Sequence, residues 1–180
     1  DVKQIRTHGH LSEDGKHYIV TGVKKWITGG MFAQYFTTLV KTPQGMALMV
    51  IERGDESAVN TKPIKTSYSA AAGTAYVEIV NAYVPVENVI GNVGDGFKYA
   101  MANFNKERWG MVAGGNRMSR LMVEECFKWA MQREIFGERL IDQPVLRLKL
   151  AQMVSEVEAV HSWREDINWT FRTSSAAAGH

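Results

Sequence analysis

The 180-residue sequence lacks several features that would place it in a specialised class of protein. It has one cysteine, Cys126, so an internal disulfide is excluded and nothing requires an oxidising compartment. No apolar run approaches the roughly 18 residues of a membrane-spanning helix. The net charge of +2 is too small to indicate binding to nucleic acid or to a membrane surface. The composition, 45% hydrophobic and 22% charged, is that of an ordinary globular protein.

The start of the chain carries no recognisable targeting signal. It begins at Asp1 rather than at a methionine, and its first ten residues have neither the apolar core of a signal peptide nor the pattern of a transit peptide. This start predicts a processed chain or a fragment. The length suffices for one domain or for two small ones.

The first half of the chain has the pattern of short β-strands. Runs rich in β-branched and aromatic residues occur at 17–22, 24–28, 35–40, 46–51 and 74–80. Pro43 and Gly45 lie between the third and fourth of these runs and favour a hairpin turn there. Several closely spaced strands with no long helix between them predict an antiparallel β-barrel or sandwich.

The second half changes to a helical period. After Gly94 the apolar residues recur in steps of three or four, at Phe97, Met101, Phe104, Met118, Met122, Cys126 and Trp129. Gly137 and Pro144 interrupt this pattern. A second apolar stripe follows at Leu146, Leu150, Met153, Val157 and Val160. Two or three helices are predicted, and because two amphipathic helices bury little against each other, we expect an incomplete four-helix bundle. The predicted fold class is α+β, with a β domain at 1–93. Residues 94–180 are predicted to form the start of a helical domain.

The segment KKWITGG, residues 24–30, places an aromatic side chain and a hydroxyl two residues apart. On a regular strand Lys24, Trp26 and Thr28 share one face, whereas Lys25 and Ile27 point to the other. Such a face either packs into a core or contacts a flat ring with polar edges. These residues alone leave both possibilities open.

Three motifs taken together resemble the FAD-dependent acyl-CoA dehydrogenases. They are WITGG, VPVENVIGNVGDGFKYAMANFNKERW and QREIFGERLIDQPVLRLKLAQM, in the order and at the spacing of that family. The resemblance covers residues 15–163 and implies a middle β-barrel domain followed by the first long helices of a C-terminal helical domain. It also implies an oxidoreductase that acts on the CH–CH group of acyl-CoA thioesters by α,β-dehydrogenation. The family's N-terminal helical domain and its last helices have no counterpart in these residues.

The same resemblance implies roles for single residues in FAD binding. Trp26 would pack on the flavin ring, and the Thr28 hydroxyl would hydrogen-bond near the flavin N5. Arg133 and Phe136, at i and i+3 on one predicted helix face, would reach the FAD of a neighbouring subunit, with Gln143 close by. Taken without the resemblance, Arg133 is a solvated cation at a helix end and Phe136 a capping hydrophobe.

A candidate for the catalytic base also comes from the resemblance. Most family members place this glutamate late in the C-terminal domain, but a minority place it directly before an arginine on the first long helix. Glu107 and Arg108 form such a pair. Phe104 and Arg108 are the residues expected to contact the acyl-CoA substrate. Considered alone, a glutamate beside an arginine is more often a surface charge.

The partners implied by the family follow from shared FAD sites. Sites built from two subunits imply a homodimer or a homotetramer, with an electron-transfer flavoprotein as electron acceptor. The alternatives are an oxygen-using relative, of the acyl-CoA oxidase or nitroalkane-oxidising type, and a catalytically silent interaction piece. No metal site is expected, because His8 and His10 lack cysteine or acidic partners at ligand spacing. The cytoplasm, the mitochondrial matrix and the peroxisome are all compatible with these residues.

Overall fold

The computed structural model of the chain describes residues 2–54, 58–67 and 69–177, with side chains as far as residue 173. The chain divides into two compact units, Asp1–Phe104 and Asn105–His180. The longer strands are β1 His8–Leu11, β2 His17–Ile27, β3 Tyr35–Thr42, β4 Gly45–Glu52, β5 Val59–Pro63 and β6 Ala75–Pro85. The remaining elements are β7 Val89–Ile90, α1 Gly96–Gln132, β8 Glu134–Ile135, β9 Glu138–Arg139 and α2 Pro144–Ala177.

The first unit contains a seven-stranded sheet in the order β5-β6-β2-β1-β3-β4-β7. Its described pairings are antiparallel apart from a single parallel bridge between β1 and β3. The β3–β4 hairpin turns through Pro43 and Gln44, since Thr42 pairs with Gly45. The Thr42 hydroxyl donates to the Gly45 carbonyl at 2.8 Å and accepts the Gln44 N–H at 3.2 Å. The predicted hairpin and the mostly antiparallel sheet are therefore confirmed.

Side-chain alternation along β6 decides which of its residues enter the core. Val77 and Ile79 are buried at odd positions, whereas Ala82 and Val84 are buried at even positions. The phase changes at Asn81, whose φ of 48° lies in the left-handed region. The large side chains of this unit that are almost fully buried are Val20, Val40, Met49, Ile51, Val77, Ile79 and Val84.

Strand β2 differs from its prediction. The runs at 17–22 and 24–28 form one continuous strand that ends at Ile27. It pairs with β6 along its length, with irregularities between Val20 and Gly22 and between Lys24 and Ile27. These bulges bend the strand and keep the pairing continuous, so Gly22 lies inside the strand.

One part of the sheet has unpaired strand edges. β1 pairs with residues 18–21 of β2 and, at a single position, with β3. Within the described ranges, residues 23–27 of β2 have no ladder partner on the side opposite β6, and residues 35–40 of β3 have none on the side opposite β4. We call the space between these two edges the β2–β3 gap.

The second unit holds most of α1 and all of α2. The apolar side chains buried in it are Val123, Ala130, Leu150 and Val157. A buried amide joins the two helices, since Asn116 Nδ2 donates to the Val157 carbonyl at 2.9 Å. Two long helices with a short connection agree with the α+β prediction.

The later part of the apolar stripe predicted on α1 is exposed in this chain. Met118, Met122 and Trp129 are exposed, Trp129 by 63%. The α1 positions that are buried in the second unit are Asn116, Val123 and Ala130, spaced by seven residues. α1 carries apolar residues on two faces, and periodicity alone does not say which face packs on α2.

Neither α1 nor α2, over the residues that the structure describes, is apolar enough along 18 residues to span a membrane.

Candidate functional site

The segment around Trp26 is not a regular strand. Trp26 has a φ of 65°, in the left-handed region, and β2 ends one residue later at Ile27. Thr28 begins a turn in which the Gly30 N–H bonds the Ile27 carbonyl at 3.1 Å. The prediction that Ile27 faces away from Lys24 and Thr28 is wrong, because all three line one cavity. The bulge between Lys24 and Ile27 breaks the alternation on which that prediction depended.

The Trp26 indole is available for contact. It is 59% exposed, and the Lys25 ammonium lies 5.1 Å from its ring centroid. Thr28 is also exposed. A non-glycine residue with positive φ is uncommon and strained, and such strain is concentrated at functional positions. The geometry therefore presents an aromatic face and a hydroxyl at the end of β2.

The cavity beside this segment occupies about 340 Å³ and is lined by Lys24, Ile27, Thr28, Ala33, Tyr35, Phe36, Thr37, Thr38, Leu39, Val77 and Ile79. Lys24 pairs across strands with the buried Val77, which places its side chain on the core face of the sheet. Its ammonium donates to the Leu39 carbonyl at 2.8 Å and so crosses the β2–β3 gap. Burial lowers the pKa of Lys24 from 10.5 to about 8, because the charged form loses solvation.

The free energy of unfolding should consequently increase with pH between about pH 8 and 10.5, because of the titration of Lys24. In that window the folded chain has released the proton and the unfolded chain still holds it, so the unfolded state binds more protons. We expect the free energy of unfolding to increase by about 1–2 kcal/mol. This is less than the free energy equivalent to the full pKa difference, because solvent screens the group. Denaturant unfolding across this pH window measures the gain.

The Lys24→Met variant should lose this pH dependence, and Lys25→Met, at an exposed neighbour, should keep it. Equal pH slopes for the wild type and Lys24→Met would contradict the assignment.

The three residues predicted to serve the substrate and the chemistry lie on α1. Glu107 and Arg108 are exposed in the second unit. Phe104 is the last residue of the first unit and is 37% exposed. Their roles remain predictions.

Arg133 and Phe136 do not share a helix face, because α1 ends at Gln132. Residues 134–139 form the β8–β9 hairpin, with Phe136 and Gly137 at its tip at φ 53° and 82°. Two positive φ values are those of a two-residue type I′ turn, which fits the twist of a hairpin. The expected i, i+3 relation on a helix is therefore wrong, since Phe136 lies in a hairpin that follows the helix.

The hairpin leaves Phe136 fully available, at 96% exposure. Arg133 is exposed at the base of the hairpin, where the Arg133 carbonyl accepts a hydrogen bond from the Leu140 N–H at 2.7 Å. Gln143 lies nearby, and its Nε2 donates to Glu138 Oε2 at 3.4 Å. The structure thus gathers Arg133, Phe136 and Gln143 around one small hairpin.

The sequence is similar to known proteins along nearly all of its length. The family described as "Acyl-CoA dehydrogenase, C-terminal domain" matches residues 94–177. An acyl-CoA dehydrogenase of Emericella nidulans is 40% identical over 171 residues, which cover 93% of this chain and 39% of that relative. The chain belongs to the acyl-CoA dehydrogenase family.

Solved acyl-CoA dehydrogenase structures share the fold. One from Geobacillus kaustophilus is 25% identical at a TM-score of 0.85, covering 97% of this chain and 47% of that one. One from Bacillus anthracis, complexed with FAD, is 27% identical at a TM-score of 0.78, covering 88% and 28%. The chain therefore spans less than half the length of each of these relatives.

Two residues near the Trp26 segment had no predicted role. Lys24 was visible in the KKWIT motif, but its burial depends on the pairing with Val77. Arg53 follows β4 directly, and its guanidinium bonds backbone carbonyls of the turn after Thr28. The sequence signal that could have drawn attention to Arg53 is its place as a cation directly after the strongly apolar β4.

Proposed function

We propose that the protein containing this chain is an FAD-dependent acyl-CoA dehydrogenase that catalyses the α,β-dehydrogenation of acyl-CoA thioesters. The observation that carries the proposal is that Trp26, in a strained backbone conformation, and Thr28 are both exposed at the end of β2. Family membership supplies the reaction class, and this pair supplies a surface suited to a flat, polar-edged ring.

The residues present fit FAD. An exposed indole offers apolar contact area to a ring, and the Thr28 hydroxyl can donate to or accept from a ring nitrogen. Arg133 offers a planar fork of donors suited to a diphosphate, beside the exposed Phe136 and the amide of Gln143. FAD, when bound, supplies the acceptor for the hydride that leaves the β-carbon of the thioester.

We further propose that Glu107 removes the proton from the α-carbon, with Arg108 and Phe104 contacting the substrate. A carboxylate base works best when it is shielded from water, because desolvation favours proton uptake. Glu107 is exposed in this chain, so the shielding would come from the bound thioester and from surfaces that close over it.

The assembly is also a proposal. The second unit exposes many apolar residues, including Met111, Met118, Met122, Trp129, Val145, Leu148, Trp163 and Trp169. Exposed apolar surface on this scale is typical of faces that pack against other helices or subunits. We propose a homodimer or homotetramer, a domain division at 1–93 and 94–180, and an electron-transfer flavoprotein as acceptor.

The test is a visible absorption spectrum of the natural protein that contains this chain, purified with FAD and then mixed anaerobically with a panel of acyl-CoA thioesters. We expect a bound-flavin spectrum that bleaches with at least one thioester and recovers slowly in air. Rapid recovery in air would instead indicate an oxygen-using relative. A protein that stays colourless with excess FAD would overturn the proposal and favour a catalytically silent role.

A further inference from the structure

Arg53 reaches from the end of β4 to the turn that follows Thr28. It is the first residue after the strand, and its backbone N–H donates to the Gln34 carbonyl at 2.7 Å. Its Nη1 donates to the Met31 carbonyl at 3.2 Å, and its Nη2 donates to the Gly30 carbonyl. One side chain therefore binds two consecutive carbonyls of a single turn.

The surroundings of Arg53 favour an arginine over any other side chain. The guanidinium carbon lies 5.6 Å from the centroid of the Phe36 ring, so the cation rests near an aromatic face. Its Nη2 also approaches the Thr61 hydroxyl at 3.5 Å. Against these contacts, the Nε is buried and has no hydrogen-bond partner among the residues that the structure describes, which is a cost. Only a planar fork with several donors makes all these contacts at once.

The turn after Thr28 is also held by contacts other than those of Arg53. Gly30 is buried, and a Cβ atom placed on it would lie 2.7 Å from the Cβ of Ala75. On another side, the Gly29 N–H donates to the Ala72 carbonyl at 2.7 Å. Packing against Ala75 and bonding to Arg53 thus fix the residues immediately after Thr28.

We propose that Arg53 is a positioning residue for the flavin site, because its guanidinium holds the turn that sets the location of Thr28. This inference rests on the proposed FAD binding. Arg53 acts through the backbone of Gly30 and Met31, and Thr28 makes the contact with the cofactor. A charged hydrogen bond to a backbone carbonyl is stronger than a neutral one, so its loss frees the turn.

The test compares FAD dissociation constants of the natural protein and its variants by fluorescence titration. Arg53→Met should weaken FAD binding by about tenfold. Arg53→Lys keeps the charge but can reach only one carbonyl at a time. Its FAD dissociation constant should lie between those of the wild type and Arg53→Met. Arg6→Met makes the same chemical change at an exposed arginine of the same unit and should bind FAD as the wild type does.

A double-mutant cycle separates positioning from general weakening of the fold. If Arg53 acts through Thr28, Thr28→Ala should cost clearly less affinity in the Arg53→Met background than in the wild type. Additive losses would overturn the inference, and so would Arg53→Met and Arg53→Lys binding FAD like the wild type. If Arg53→Met does not fold, the same cycle is run with Arg53→Lys. A wild-type protein that binds no FAD would defeat the proposed function instead, which keeps the two failures distinct.

Discussion

Replacing Glu107 by glutamine should slow the reduction of bound flavin by an acyl-CoA thioester by about 10³-fold. The amide keeps the size and shape of the carboxylate but cannot accept the α-proton, so thioester binding and flavin binding should change little. Anaerobic stopped-flow absorbance in a single turnover measures this rate directly, without the contribution of product release.

The matched control is Glu124→Gln, the same substitution at another α1 glutamate. Glu124 is exposed and lies 4.0 Å from Arg117, so its loss removes only a weak surface ion pair. We expect this variant to reduce flavin at the wild-type rate. An unchanged rate in Glu107→Gln would place the catalytic base elsewhere, as in those family members that carry it late in the C-terminal domain.

Replacing Arg133 by methionine should weaken FAD binding by about 10²-fold, because two charge-assisted hydrogen bonds to a diphosphate would be lost. The measurement is the FAD dissociation constant of the purified variant. Arg147→Met, at an exposed arginine in the first turns of α2, is the control and should bind FAD normally. If Arg133→Met bound FAD with wild-type affinity, the proposal that the β8–β9 hairpin contributes to the FAD site would be wrong.

Mixing variants tests whether two subunits share each FAD. Trp26→Ala and Arg133→Met place one defect on each proposed side of the site. In a hybrid of the two variants, a shared arrangement gives one site with both defects and one with neither. Co-expression should then restore FAD binding to about half the sites of each hybrid dimer. If each FAD were bound within one subunit, every site would keep one defect and no restoration would occur.

Local patterns in the sequence were sufficient for most of the sheet and both helices. Pro43 and Gly45 marked the hairpin correctly, because a two-residue turn depends on few neighbours. The short strands β1 and β5 were not predicted. They are held by pairing with β2 and β6, and such long-range pairing leaves little trace in a short run of residues.

The predicted site geometry failed where the backbone departs from a regular period. Ile27 shares a cavity with Lys24 because a bulge intervenes, and no residue type in KKWIT signals that bulge. Phe136 sits at a hairpin tip because Gly137 adopts a positive φ. Both errors concern where a side chain points; Trp26, Thr28, Arg133 and Phe136 all lie on exposed turns or strand ends, and their roles stay predictions.

The β2–β3 gap also affects how copies of this chain behave toward one another. Unpaired N–H and C=O groups along a strand edge form a template on which a strand of another molecule can add. Natural sheets counter such addition with inward-pointing charged side chains, and Lys24 is one of these. A strand entering the gap would have to displace the hydrogen bond from the Lys24 ammonium to the Leu39 carbonyl. We therefore expect Lys24, whose partly buried charge weakens the fold at neutral pH, also to disfavour aggregation by strand addition at this gap.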